Sequence, residues 1–160
     1  MRRLNIEVDI SEKKYFVSKY NDKTLAPELR EYIINELVGY NLDSKVRINI
    51  VTKFELTGVE EEKYKEIIKK EFRESISELK SETLASDKMK LIMFCLGIMF
   101  IISSYFMNSY FGGIPGEILM IFGWVVMWEV AYAIFFTDAK RKRKIKRYKQ
   151  ILNSEIVFKN

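Results

Sequence analysis

The chain has 160 residues, a formal net charge of +5, 48% hydrophobic and 31% charged residues, a balance that by itself would suit one modest globular domain. Its lack of histidine excludes imidazole general bases, Ser-His-Asp triads and His-ligated metal sites, and its single cysteine, Cys95, excludes an intrachain disulfide or a multi-cysteine metal site. The seven glycines fit neither the G-x-x-x-x-G-K-[ST] phosphate loop nor the G-x-G-x-x-G turn.

The averages conceal a partition. Between Lys90 and Glu117 lie 26 uncharged residues, and the next 20, up to Asp138, carry one carboxylate, Glu129. Everything outside this block is dense in Lys and Glu. Such a chain predicts an α+β membrane protein, in which a small β-α-β-α cytosolic domain, completed by a C-terminal strand, is attached to a two-helix transmembrane hairpin. The expected boundaries are residues 1–87 for the cytosolic domain, with a connecting helix over 60–89, residues 88–137 for the hairpin, and residues 138–160 for a basic helix and terminal strand.

Leu4, Ile6, Val8 and Ile10 alternate with Asn5, Glu7 and Asp9, the period of a strand with one buried face. Pro27-Glu28 then opens a helix whose Leu29, Tyr32, Ile33 and Leu37 share a face, with Gly39 ending it. Val46, Ile48, Ile50, Phe54 and Leu56 predict a second strand. Thr57-x-x-Glu60 is a capping box, and it starts a long helix with Tyr64, Ile67, Ile68, Phe72, Ile76 and Leu79 at helical spacing. This order predicts two parallel strands joined by a right-handed crossover. Were the long helix to continue into the hairpin, it would carry a rotation or tilt of the domain with it.

Leu91 to Phe111 is a run of 21 mainly apolar residues, which at about 1.5 Å per residue matches the hydrocarbon thickness of a bilayer. Ile118 to Thr137 has the same reach. Between them Gly112-Gly113-Ile-Pro-Gly116 predicts a tight turn. Lys and Arg flank the outer ends of both runs and are missing from the turn, so both termini are expected in the cytoplasm of a bacterial inner membrane, without a cleavable signal peptide. Glu129 falls near the middle of the second run, where an acidic group costs about 2.5–3.5 kcal/mol and must face protein or water. It is either protonated and bonded to Ser103 or Ser104, locking the two helices, or one of a ring lining an oligomeric pore. Trp124, Trp128 and Tyr132 recur at i, i+4 and i+8, a stripe expected to pack helices rather than hold a cofactor.

The basic charge is local. Residues 140–149 hold eight cations, Lys140, Arg141, Lys142, Arg143, Lys144, Lys146, Arg147 and Lys149, and without them the chain is net acidic. One role for them is the stop-transfer signal with attraction to anionic lipid, about 1 kcal/mol per residue. The other is an anionic ligand, a nucleotide or oligonucleotide, held between this cluster and Arg2 and Arg3 of the first strand. Beyond the cluster, Ile151, Leu152, Ile156, Val157 and Phe158 are too apolar for a free tail, and residues 155–159 are expected to return as a third strand.

The segment Gly123-Trp124-Val125-Val126-Met127-Trp128-Glu129, followed by an aromatic helix end, a basic run and a short terminal strand, resembles a family of small uncharacterised bacterial two-transmembrane proteins with a cytosolic α/β domain. Where relatives carry Trp-Trp-Pro this chain has Phe135-Phe136-Thr137. By architecture alone it is also similar to the two-transmembrane effectors of nucleotide-signalled anti-phage systems of CBASS and Hailong type, a likeness that does not fix function. No catalytic, cofactor-binding or metal-ligating set emerges, since Glu60, Glu61 and Glu62 simply mark a helix N-terminus, and the chain is not expected to be an enzyme. Two functions follow: a homo-oligomer whose cytosolic domain senses a ligand and gates a channel or membrane-disrupting hairpin, or a membrane anchor that recruits a cytosolic protein partner.

Overall fold

The alternating pattern at the N-terminus forms the strand it predicts. In the computed structural model, which describes residues 3–110 and 113–159, β1 spans Arg3–Ile10 and buries Ile6, Val8 and Ile10 on one face. A single 3-10 turn at Lys13–Tyr15 leads into a small antiparallel hairpin of β2 (Val17–Ser18) and β3 (Asn21–Leu25). Sequence periodicity misses this hairpin, because Asn21, Asp22 and Lys23 are polar and exposed and carry no alternation.

Helix α1 spans Pro27–Glu36, with Pro27 in its first turn, where the missing N–H costs nothing. Leu29, Ile33 and Leu37 are buried as expected, whereas Tyr32 is exposed and donates its hydroxyl to the Glu7 carbonyl oxygen at 3.3 Å. Strand β4 spans Lys45–Thr52 and pairs in parallel with β1, Ile6 opposite Ile48 and Val8 opposite Ile50. It stops short of the predicted Phe54 and Leu56. Thr52 donates its hydroxyl to the Phe54 carbonyl oxygen at 3.0 Å, and the Phe54 ring instead meets buried Phe16 edge-on at 6.4 Å.

Helix α2 spans Gly58–Tyr110, 53 residues without a break. Its start is the predicted capping box: the Thr57 N–H donates to Glu60 Oε2 at 3.0 Å and the Glu60 N–H to Thr57 Oγ1 at 3.3 Å. Helix α3 spans Ile114–Tyr132, earlier than expected, since Gly113 at φ +85° makes the turn and Pro115 sits in the first helical turn. Gly116 therefore belongs to α3, and Gly112 lies outside the described residues. A π-helical turn at Ala133–Thr137 joins α3 to α4, Asp138–Leu152, so the second apolar run and the basic run form one helix of 39 residues. Both α2 and this second helix contain windows long and apolar enough to cross a membrane.

Strand β5, Glu155–Lys159, adds to β4 in parallel and completes a sheet in the order β1-β4-β5. The predicted third strand is present, with Ile156 opposite Ile48 and Phe158 opposite Ile50. The chain divides into two compact units. The first, Met1–Glu78 with Arg143–Asn160, buries the even-numbered face of the sheet under Ile33 and Leu37 of α1, Ile68 and Phe72 of α2 and Tyr148 and Ile151 of α4. The second, Leu79–Lys142, consists of the apolar parts of α2 and α3 and their continuation.

Candidate functional site

Within the second unit, small residues set how α2 and α3 meet. Gly116, Gly123 and Val130 are the buried residues of α3 and recur every seven positions. Gly123 faces Gly97 of α2, and on α2 Gly97 and Ser104 are also buried and also seven apart. A Cβ placed on Gly97 would stand 3.0 Å from Met127 Cγ, and one on Gly123 would stand 2.7 Å from Ile101 Cγ1; on Gly116 it would collide with the Asn108 side chain. The partners step in opposite directions, so the helices are antiparallel. Such seams of small residues let helix backbones approach closely where there is no water to drive association.

Trp124 and Trp128 stand outside this seam, 66% and 72% exposed, with Tyr132 exposed beside them. Within the chain Tyr132 stacks on Phe136 at 5.0 Å, and Trp124 and Trp128 lie outside the close approach of the two helices. Glu129 is exposed as well and makes no hydrogen bond with Ser103 or Ser104. The Ser104 hydroxyl is completely buried and unpartnered.

At the end of the same unit, Lys90 Nζ pairs with Asp87 Oδ1 at 2.6 Å and with Asp138 Oδ2. Lys90 and Asp138 are mostly buried, at 13% and 14% side-chain exposure. Sequence reasoning treated Lys90 as a flanking charge only. Its pairing with a residue 48 positions later ties the two apolar helices together at one end.

The basic run divides between the units. Lys140, Arg141 and Lys142 lie in the second. In the first, Lys144 stands over the Tyr148 ring at 5.8 Å, and Arg147 donates from Nη1 to the Tyr40 carbonyl oxygen at 3.2 Å. Burial lowers the Arg147 pKa from its ordinary value. Lys146, Lys149 and Gln150 share one face of α4 and, with Asn153 just beyond it, line a cleft of about 630 Å³ with Lys45 and Arg47 of β4. Arg47 is held by Glu155, whose Oε2 accepts from its Nε at 2.9 Å and its Nη2 at 2.7 Å. Arg2, expected to join the cluster, lies outside the described residues, while Arg3 pairs in register with Lys45 along the sheet.

Gln150, which the sequence did not single out, organises this cleft. It is buried, and its Nε2 donates to the carbonyl oxygens of Asn41 at 3.1 Å and Ser44 at 2.7 Å. The loop before β4 is thus fixed to α4. A second groove of about 810 Å³, more apolar, lies at the C-terminal end of β1, between Ile10, Tyr15, Leu29 and Tyr32. Lys14 on its rim has a pKa raised by the hydrogen bond and charge of Glu12. Among the described residues, no group of histidine, cysteine and acidic side chains could hold a metal ion. Comparison with protein-family models, curated proteins and solved structures finds no match to this chain.

Proposed function

We propose that the chain is a homo-oligomeric membrane protein whose sheet-bearing unit senses a ligand or partner in the cytoplasm and gates a channel, or a membrane-disrupting assembly, built from the helix pair. The observation that supports this most directly is Glu129. It lies near the middle of the apolar run from Ile118 to Thr137, it is exposed, and among the described residues it has no hydrogen-bond or ion-pair partner. An ionisable group at that depth faces protein or water rather than lipid. A single helix pair encloses no water, so the partner surface comes from further copies of the same chain.

Two features support coupling of the units. Helix α2 belongs in part to each unit without a break, and the α3–α4 helix contains a π-helical turn, a feature frequent at functional positions.

Light scattering on the protein in nanodiscs, with currents recorded in planar bilayers, tests the reading. An oligomer is expected, with currents that Glu129→Leu abolishes and Glu129→Gln alters in selectivity. A monomer that carries no current would overturn it and leave the chain as an anchor that recruits a cytosolic partner.

A further inference from the structure

We propose that the cleft between β4 and α4 is a binding site for a small phosphate-bearing anion. Helical spacing puts Lys146 and Lys149 on one wall, and the start of β4 puts Lys45 and Arg47 on the other. Arg47 is already neutralised by Glu155. Lys45, Lys146 and Lys149 make no ion pair among the described residues, so three free ammonium groups surround a concave surface. Against them stands one unpaired carboxylate, Asp43, on the lip. Like charges lining a cleft reinforce one another's potential there, which draws in counter-ions. Lysine, a compact charge with three donors on a flexible stem, binds phosphate without fixed geometry.

The wall itself is held in place by Gln150. Gln150 is only 8% exposed, and its Nε2 is spent on the loop carbonyls, but its Oε1 is buried and accepts no hydrogen bond. Gln150 thus fixes the wall that carries Lys146 and Lys149, while its Oε1 is closed off from the cleft. The charges alone define the ligand chemistry: a nucleotide or a phosphorylated sugar carries the phosphate they would bind, and so does the headgroup of phosphatidylglycerol. The volume lies within the range of small-ligand sites.

The proposal deepens the ligand-sensing reading above and rests on it for biological role, though not for binding. The full-length protein in phosphatidylcholine nanodiscs is titrated calorimetrically with ADP at about 50 and about 300 mM salt, where screening differs strongly. In parallel, nanodiscs containing phosphatidylglycerol replace the free ligand, with competition by ADP as the readout. Binding that weakens about tenfold in Lys146→Gln/Lys149→Gln, and less than about twofold in Lys140→Gln/Lys142→Gln, supports the site. If only phosphatidylglycerol is bound with that same dependence, the site stands and its source is lipid. Equal weakening by both pairs, or no binding of either probe at low salt, overturns it. Binding without any effect on membrane currents keeps the site and removes the gating reading; currents without binding do the reverse.

Discussion

Gly123 of α3 lies directly against Gly97 of α2: a Cβ built on Gly123 would stand 3.2 Å from the Gly97 carbonyl oxygen and 2.7 Å from Ile101 Cγ1. The two glycines are not equivalent, although both sit in the same seam. The obstacles at Gly123 are helix backbone and a branched side chain. Those at Gly97 are Met127 Cγ and Sδ, both at 3.0 Å, in a side chain free to move aside.

Gly123→Ala is therefore expected to force α2 and α3 apart, at about 1–3 kcal/mol for overpacking. Gly97→Ala should be near neutral, because Met127 can yield and alanine favours a helix over glycine by about 1 kcal/mol. Thermal unfolding in detergent, followed through Trp124 and Trp128 fluorescence, measures both. Equal midpoints for the two variants would show that the helices do not approach as closely as this contact requires.

A second asymmetry concerns α4. Gln150→Leu removes both hydrogen bonds from its Nε2 to the loop before β4, leaves Arg147 alone to hold Tyr40, and strips the Ser44 carbonyl oxygen of its 2.7 Å partner. Losing one buried partner costs about 1–3 kcal/mol. Lys149→Gln, one residue away and exposed, should change stability by less than about 0.5 kcal/mol. Urea unfolding of the full-length protein separates them. A Gln150→Leu variant as stable as the parent would mean that the loop is not held from α4.

Much of this architecture is legible in the sequence because its signals are local and physical. The alternation in Leu4–Ile10, the capping box at Thr57 and Glu60, and the length of the two uncharged runs each depend on neighbours within one element. The tail was legible for a different reason: Ile156 and Phe158 are too apolar to be left in water. What the sequence hides is what depends on partners far along the chain. Nothing near Gln150 announces that its amide reaches Asn41 and Ser44, 109 and 106 positions earlier. Gly116 reads as a turn residue, and Gly97 and Gly123 carry no signal of close packing, until the facing helix is in place. For the Trp stripe, periodicity identifies a face without saying what the face meets.

The start of α2 predicts a pH dependence. Glu60 is held at about 2, well below its ordinary 4.5, first by the hydrogen bond from Lys13 and then by the Thr57 N–H. A carboxyl with a lowered folded pKa stabilises the fold fully above its unfolded value, and that contribution disappears as pH falls from 4.5 towards 2. Glu60→Gln should therefore lower the unfolding midpoint at neutral pH, and the gap from the parent should close on acidification through that window. Thr57→Ala, which removes the other half of the box, should cost about 1 kcal/mol. A gap between Glu60→Gln and the parent that stayed constant down to the acid end would rule out this pairing.

The last prediction concerns β5, which makes the sheet three-stranded. Its five residues pair with β4 from Arg47 to Val51, Ile156 is buried, and the Phe158 ring lies 5.9 Å from that of Phe16. Burying each such side chain contributes about 1.5–3 kcal/mol, and a two-stranded sheet is marginal alone. Deleting residues 155–160 also strips Arg47 of its Glu155 partner. The deletion should destabilise the sheet-bearing unit by several kcal/mol, as judged by its urea midpoint. On the proposed membrane reading, insertion of the helix pair depends on its own apolar length and should be unchanged in a carbonate-extraction assay. Hydrogen exchange on the intact protein tests the pairing itself. As an edge strand, β5 turns alternate amides towards β4, and those among Ile156–Phe158 should exchange orders of magnitude more slowly than a free tail. Uniformly fast exchange across the three would mean that β5 does not pair in solution, and the tail would then have to be bound by something other than the sheet.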